Sequence, residues 1–414
     1  MAQQSLNTVI QISANANKLN AIGDILTGVG GYVDRVSQKL IGFGKETVTE
    51  YASFDDIMRK VQSVGEMSVK EVGYIADAAR EVAKTSRFTA QDAAEAELFL
   101  AQVGLGYREI IDLLPDVLNL AQAGDISIAS SADYLYSTLK SLGHGLEYAD
   151  TLIDQIAKTA SIGSTDVDTL GESLTRIGSG LQMFKGGAPE VLAILSAMSE
   201  YGQDMRGSEG GTRLRNFMLS LIAPTGNGDA IVAMLENIGV STEEFDEIME
   251  GVDLKSAAKA MKDLGFSAYD ENGNLKGGIE IITGLRNSLK GLDEEAQYNA
   301  LSKIFGKRTL ITALNLIKQT DEEWRQLLTD INGSEGYADY MVSIQEGGIG
   351  GAIRRLKSQW EELKLTVGEA LSPMVEDAAK GLTDIMKSIS EMDEGTLNAF
   401  VSGLTTVAAA GPAL

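Results

Sequence analysis

Apolar positions recur three and four residues apart along most of the chain, which is the repeat of a helix and not of a strand. Up to about residue 335 the periodic runs are short and are separated by glycines. Ala93, Ala96, Leu98, Leu100 and Val103 read as one buried stripe, and Ile110, Leu113, Leu114, Val117 and Leu120 as the next. Helix starts are marked by capping-box pairs at Ser68/Glu71, Thr89/Asp92, Thr165/Asp168, Ser241/Glu244 and Thr320/Glu323. Ends are marked by Gly104, Gly106, Gly143, Gly145, Gly163, Gly178, Gly180, Gly186 and Gly187, each placed after an apolar run. Helices this short are marginal alone, so the pattern predicts successive helical hairpins packed into a compact body.

Three segments depart from that rhythm. Residues 1–50 carry glycines at 23, 28, 30, 31, 42 and 44 within an apolar pattern, which predicts a glycine-interrupted helical segment that is mobile or dependent on a partner. Phe266 to Leu275 contains Asn272-Gly273 between two short extended pieces and predicts a small β-hairpin. After the glycines at 347, 348, 350 and 351, Ile353, Leu356, Trp360, Leu363, Val367 and Ala370 form a heptad-like seam. Ser372-Pro373 interrupts that seam, and Val375, Ala378, Leu382, Ile385 and Ile389 resume it in a shifted register, as expected of two joined helices or one kinked helix. Such a seam serves either self-association or packing on its own domain.

The expected fold is therefore all-α: a multi-helix hairpin module with one small β-hairpin, followed by long coiled-coil-like helices. Four regions are expected: 1–50, a compact core over 51–335, a long helix with a heptad-like seam kinked at Pro373 over 336–394, and the start of a truncated hydrophobic segment over 395–414. That last stretch is charge-free but includes Ser, Thr, Asn and Gly, so it falls short of the roughly 20 strongly apolar residues of a bilayer-spanning helix.

Composition narrows the chemistry. With 59 acidic and 35 basic residues the net charge is −24, which disfavours direct nucleic-acid binding. The densest basic groupings, Lys307-Arg308 and Arg206/Arg213/Arg215, read as solvated or paired helix faces. There is no cysteine, and the single histidine, His144, lies in a glycine-flanked turn. Asp270, Asn272 and Asn274 imitate the start of a calcium loop, but the glycine falls at 273 and Ile281 stands where the closing carboxylate belongs. No phosphate loop, zinc-protease motif or nucleophile elbow occurs. Trp324 and Trp360 read as helix-edge packing. No catalytic, cofactor-binding or metal-ligating residue is expected, no cofactor, and no enzymatic activity.

Several segments together resemble the core of bacteriophage tail tape measure proteins of the TP901 type. They are Phe54-Asp-Asp-Ile-Met-Arg-Lys-Val61, Thr85-Ser-Arg-Phe-Thr-Ala-Gln-Asp-Ala-Ala-Glu-Ala96, Leu113-Leu-Pro-Asp-Val-Leu-Asn-Leu-Ala121, Asp166-Val-Asp-Thr-Leu170, Gly210-Gly-Thr-Arg-Leu-Arg-Asn-Phe-Met-Leu219 with Ala223-Pro224, and Ile304-Phe-Gly306. Tyr269 to Lys276, Leu356 to Leu363 and Gly368 to Pro373 add to the likeness, which covers about residues 50–380. The resemblance implies a template around which tail-tube subunits polymerise, which sets tail length and leaves the tube lumen when DNA is delivered. It also implies partners: the tail tube protein, tail assembly chaperones, tail-tip or baseplate proteins, and further copies of the chain, with a trimer among the options the seam leaves open. The expected location is the lumen of the virion tail tube, after assembly in the host cytoplasm. Membrane contact is expected only through segments downstream of this chain. The alternative reading is a membrane-active helical protein whose C-terminal apolar segment inserts into a bilayer.

Overall fold

A computed structural model describes residues 33–225 and 238–391, together with positions 232, 235 and 236. The expected features at residues 1–32 and 395–414 lie outside the described residues. The chain opens with α1 (Val33–Val64), α2 (Val69–Thr85), α3 (Ala90–Gln102), α4 (Tyr107–Gly124), α5 (Ile128–Leu142), α6 (Ala149–Ile162) and α7 (Val167–Ile177). Next come α8 (Gly187–Ser199), α9 (Gly207–Ile222), α10 (Thr242–Ile248), α11 (Leu254–Asp263), α12 (Gly278–Ser288) and α13 (Glu294–Ile304). The last helices are α14 (Lys307–Leu316), α15 (Asp321–Asn332), α16 (Tyr337–Gln345) and the long α17 (Gly348–Ser390).

The described part is all helical, and the small β-hairpin expected at 266–275 does not form. Tyr269 and Leu275 make an isolated antiparallel bridge, and no strand occurs among the described residues. The reason is local. The Asp270 carboxylate accepts hydrogen bonds from the backbone N–H of Asn272 (2.9 Å) and Asn274 (2.8 Å), curling the chain into a tight turn. Only three residues, 275–277, remain between this turn and the start of α12, too few to extend the bridge into a ladder.

Helix starts follow their caps closely. Reciprocal capping boxes form at Ser68/Glu71, Thr89/Asp92 and Thr320/Glu323, and the Ser241 hydroxyl accepts from Glu244 N at 3.1 Å. At α7 the cap lies one residue later than expected: the Asp166 carboxylate accepts from Thr169 N at 2.8 Å. A carboxylate is at least as good a cap as the Thr165 hydroxyl beside it, so spacing alone does not separate the two.

Two compact units divide the chain. The larger spans Ile57–Gln359, and its core is aliphatic, with Ile110, Leu113, Leu114, Val117 and Leu120 of α4 all buried as expected. The stripe on α3 is rotated from the expected one. Ala90, Ala93, Ala94, Ala96, Glu97, Leu100 and Ala101 are buried, whereas Leu98 and Val103 are only partly covered. Helices α7 and α9 approach so closely that a Cβ on Gly211 would lie 3.0 Å from the Ser173 Cα, and the Ser173 hydroxyl donates to the Gly207 carbonyl at 2.7 Å across that contact.

The second unit joins residues up to Asp56 with those from Trp360 onward. Here α1 and the later part of α17 cross at Gly368, where a Cβ would lie 2.7 Å from the Tyr51 Cβ. Lys364 is buried at this crossing and pairs with Glu46 and Glu50, both at 2.7 Å, and with Glu361. Burial works against its charge, but the hydrogen bonds from Glu361, Glu46 and Glu50 outweigh that and hold the ammonium above the ordinary lysine range. Burial also raises the Glu50 carboxyl, against the pull of Lys364. Among the described residues α17 is a single helix that runs through Pro373.

Candidate functional site

Residues that could suggest chemistry are largely occupied with holding the fold. His144 follows the left-handed C-cap Gly143 and stacks on Tyr148 with ring centroids 4.2 Å apart. Asp270 is consumed by its turn: the Asn274 side chain (3.0 Å) and two backbone N–H groups hydrogen-bond to it and hold its pKa below the usual carboxylate range. The arginine set is paired, since Arg206 Nε donates to the Ser199 carbonyl at 2.9 Å, Arg213 meets Asp204 (3.3 Å) and Glu209 (3.2 Å), and Arg215 meets Glu244. Trp324 is buried, whereas Trp360 is 51% exposed. Among the described residues no group of acidic or histidine side chains is arranged to hold a metal ion.

Buried carboxylates are what pattern reading misses. Glu190 joins two helix starts: its Oε2 accepts from Gly186 N and its Oε1 from Ile279 N, both at 2.9 Å. Asp154 does the same for α16, accepting from Gly336 N at 2.6 Å and Ala338 N at 2.8 Å, which places a negative charge at the positive end of that helix. Burial raises the Asp154 carboxyl, and these backbone donors oppose the rise.

Asp116 on α4 lies in the same neighbourhood. Burial, followed by repulsion from Asp150, Asp339 and Asp154, pushes its pKa up to about 6. An acid raised in the folded state favours folding when protonated, so its contribution falls as pH rises from about 4 to about 6 and stays low above that. Asp116→Asn is therefore expected to be more stable than the parent at pH 7, by roughly 1 kcal/mol after allowance for solvent screening, and to show little difference at pH 4. Thermal unfolding at the two pH values checks this, and an equal difference at both would remove Asp116 as the titrating group.

The heptad positions of α17 bear on function most directly. Within the larger unit Ile353 and Leu356 are 61% and 66% exposed, and in the second unit Leu363 is 47% exposed. The helix packs on its own units through the opposite face instead. Ser358 donates to the carbonyls of Ala83 and Phe88, and Leu365 and Gly368 are buried. Packing on its own units is thus carried by Ser358, Leu365 and Gly368, while Ile353, Leu356 and Leu363 of the seam are exposed.

A family model described as phage-related minor tail protein matches residues 76–306, more than half of the chain, and the chain belongs to that family. It is similar to the tape measure protein of Pneumococcus phage Dp-1, 24% identical over 98% of this chain and 33% of that protein. It is also similar to the probable tape measure protein of Escherichia phage P2, 22% identical over 91% of this chain and 44% of that protein. The chain therefore spans less than half the length of these relatives. No solved structure matches it.

Proposed function

We propose that this chain is the N-terminal and core part of a tail tape measure protein of the TP901 type, with a structural and non-catalytic role. The observation that carries the proposal is the likeness to two tape measure proteins along nearly the whole chain, joined to the family match over its core. On this reading the protein lies in the lumen of the tail tube after assembly in the host cytoplasm, templates tube polymerisation, sets tail length and leaves when DNA is delivered. Its partners are tube subunits, assembly chaperones, tail-tip or baseplate proteins and other copies of itself.

Residues 51–335 act as a compact module for assembly or tip attachment, and the ruler begins in the long helix of 336–394. The uninterrupted α17, Gly348–Ser390, supports placing the start of the ruler in that helix. A ruler needs length proportional to residue number, which a helix supplies at about 1.5 Å per residue. In-frame deletion of Ala352 to Glu391 from the full-length protein is expected to shorten tails by about 60 Å in electron micrographs. Tails of unchanged length would show that this helix is not part of the ruler.

The membrane-active alternative rests on residues 395–414, which lie outside the described residues; among the described residues no helix is long and apolar enough to cross a membrane.

A further inference from the structure

One cleft in the larger unit departs from the acidic character of the chain. It encloses about 300 Å³ where the C-terminal end of α12, α13 and the second half of α14 meet. Its apolar lining is Leu289, which is buried, with Leu314 and Ile317, which are partly exposed. Ile311, one turn before Leu314 on the same face of α14, is 51% exposed and extends the apolar surface along that helix.

The polar lining is Gln297 and three cations, Arg286, Lys290 and Lys318, with no carboxylate among them. Gln297 and Arg286 are committed to the fold. Gln297 Nε2 donates to the carbonyls of Leu289 (3.4 Å) and Leu292 (3.0 Å), which fixes the turn between α12 and α13. The Arg286 guanidinium binds the Gln319 carbonyl and the Asp321 carboxylate. Lys290 and Lys318 differ: both are exposed, and neither forms an ion pair among the described residues. Lys318 Nζ meets neutral groups, the Asn315 side chain at 3.3 Å and the Tyr201 ring at 5.2 Å from its centroid. An apolar recess thus sits beside two uncompensated positive charges, in a chain whose net charge is −24.

Size and charge select the occupant. At about 300 Å³ the cleft lies at the small end of ligand pockets and has room for roughly one or two aliphatic side chains. The two lysines match carboxylates flanking such side chains. A nucleic-acid strand brings negative charge but no aliphatic group to fill the recess, and the lining has no aromatic ring on which a base could stack. Repulsion from the rest of the chain is screened beyond about 10 Å at 0.1 M salt, so the nearby lysines and the burial of an apolar side chain decide binding.

We propose that this cleft binds an acidic peptide segment of another protein, seating an aliphatic side chain against Leu289, Leu314 and Ile317 and its flanking carboxylates on Lys290 and Lys318. This deepens the assembly reading given above and rests on it. Because the test uses the purified chain and a synthetic peptide, its failure is distinct from a failure of the tail-length experiment.

The probe is the fluorescent peptide Asp-Glu-Leu-Ile-Glu-Asp, followed by anisotropy as the purified chain is added at low ionic strength. Saturable binding is expected. It should weaken at least about tenfold when Asn and Gln replace the acids of the peptide, or when Ser replaces its Leu and Ile. Lys290→Glu combined with Lys318→Glu should weaken it as much while leaving the helical circular dichroism unchanged, since both side chains are exposed. Lys70→Glu combined with Lys140→Glu, on α2 and α5, changes the net charge equally and should leave binding as it was. No binding, equal binding of either altered peptide, equal loss in the two double variants, or tighter binding of an oligothymidylate would overturn the proposal.

Discussion

Replacing Glu97 with leucine is expected to stabilise the larger unit by about 2–4 kcal/mol near pH 8, a large gain for one substitution. Glu97 lies in the middle of the buried stripe of α3, with 0% exposure, and neither carboxylate oxygen has a hydrogen-bond partner. Burial, with no opposing contribution, raises its pKa well above the usual carboxylate range. Because this is an acid raised in the folded state, its protonated form favours folding. Its contribution is complete below the unfolded carboxyl value of about 4 and declines by roughly 1.4 kcal/mol per pH unit until the folded pKa is reached.

Leucine removes both the ionisation penalty and the unsatisfied polar atoms, and fills a similar volume. Glu97→Gln removes the titration but leaves an unpartnered polar group, so it should flatten the pH dependence with a smaller gain. Urea unfolding of the three proteins at pH 5 and pH 8 checks this. If the gap between parent and leucine variant stayed the same at both pH values, the carboxylate would not be titrating as a buried, unpartnered acid.

The opposite sign is expected at Gly211. Alanine in place of glycine within a helix ordinarily gains up to about 1 kcal/mol, because glycine gives up more backbone freedom on folding. At Gly211 the added methyl would meet the backbone of Ser173, including its Cα at 3.0 Å, and backbone cannot turn aside as a flexible side chain would. Helices α7 and α9 would have to separate, stretching the bond from Ser173 Oγ to the Gly207 carbonyl and opening the contact around the buried Leu214 and Phe217. The cost is expected to reach about 3 kcal/mol.

Gly284 is the matched control. It lies inside α12, where a Cβ would make only an ordinary contact, 3.6 Å from the Phe266 ring. Gly284→Ala should be neutral or stabilising, so chemical denaturation of the two variants separates close approach from helix propensity. Equal effects at both positions would show that the α7–α9 contact adapts to the extra carbon.

Gly210-Gly211 is among the residues through which the chain resembles tape measure cores, and this contact supplies a physical reason for a small residue there. The spacing around it predicted a helix but not that another helix would lie against its backbone. The stripe on α3 shows the same limit: Ala93, Ala96 and Leu100 were legible, but choosing Leu98 and Val103 over Ala90, Ala94 and Glu97 put hydrophobicity ahead of angular position. Following the three-and-four spacing strictly from Ala90 leads through Ala93, Ala94 and Glu97 to Leu100 and Ala101. The signal for a buried acid was therefore present, masked by the assumption that acids in so acidic a chain face water.

Near-neighbour effects were the ones the sequence could determine by itself. Helix formation, the caps at Ser68, Thr89, Ser241 and Thr320, and the turn at Asn272-Gly273 depend on residues within about four positions of one another, and the fold keeps them. Only the tertiary structure decided the outcomes that join distant positions: the loss of the hairpin to a bridge, the burial of Glu97, the Asp154 cap on a helix start 182 residues away, and the outward turn of the Ile353–Leu363 seam. The periodicity of α17 marks an apolar face, yet the face that is buried carries Ser358, Leu365 and Gly368, where the missing side chain of Gly368 allows close approach to α1. A repeat along one helix records that a face needs a partner, while the identity of the partner depends on shapes and charges brought there from elsewhere in the chain, or from another chain.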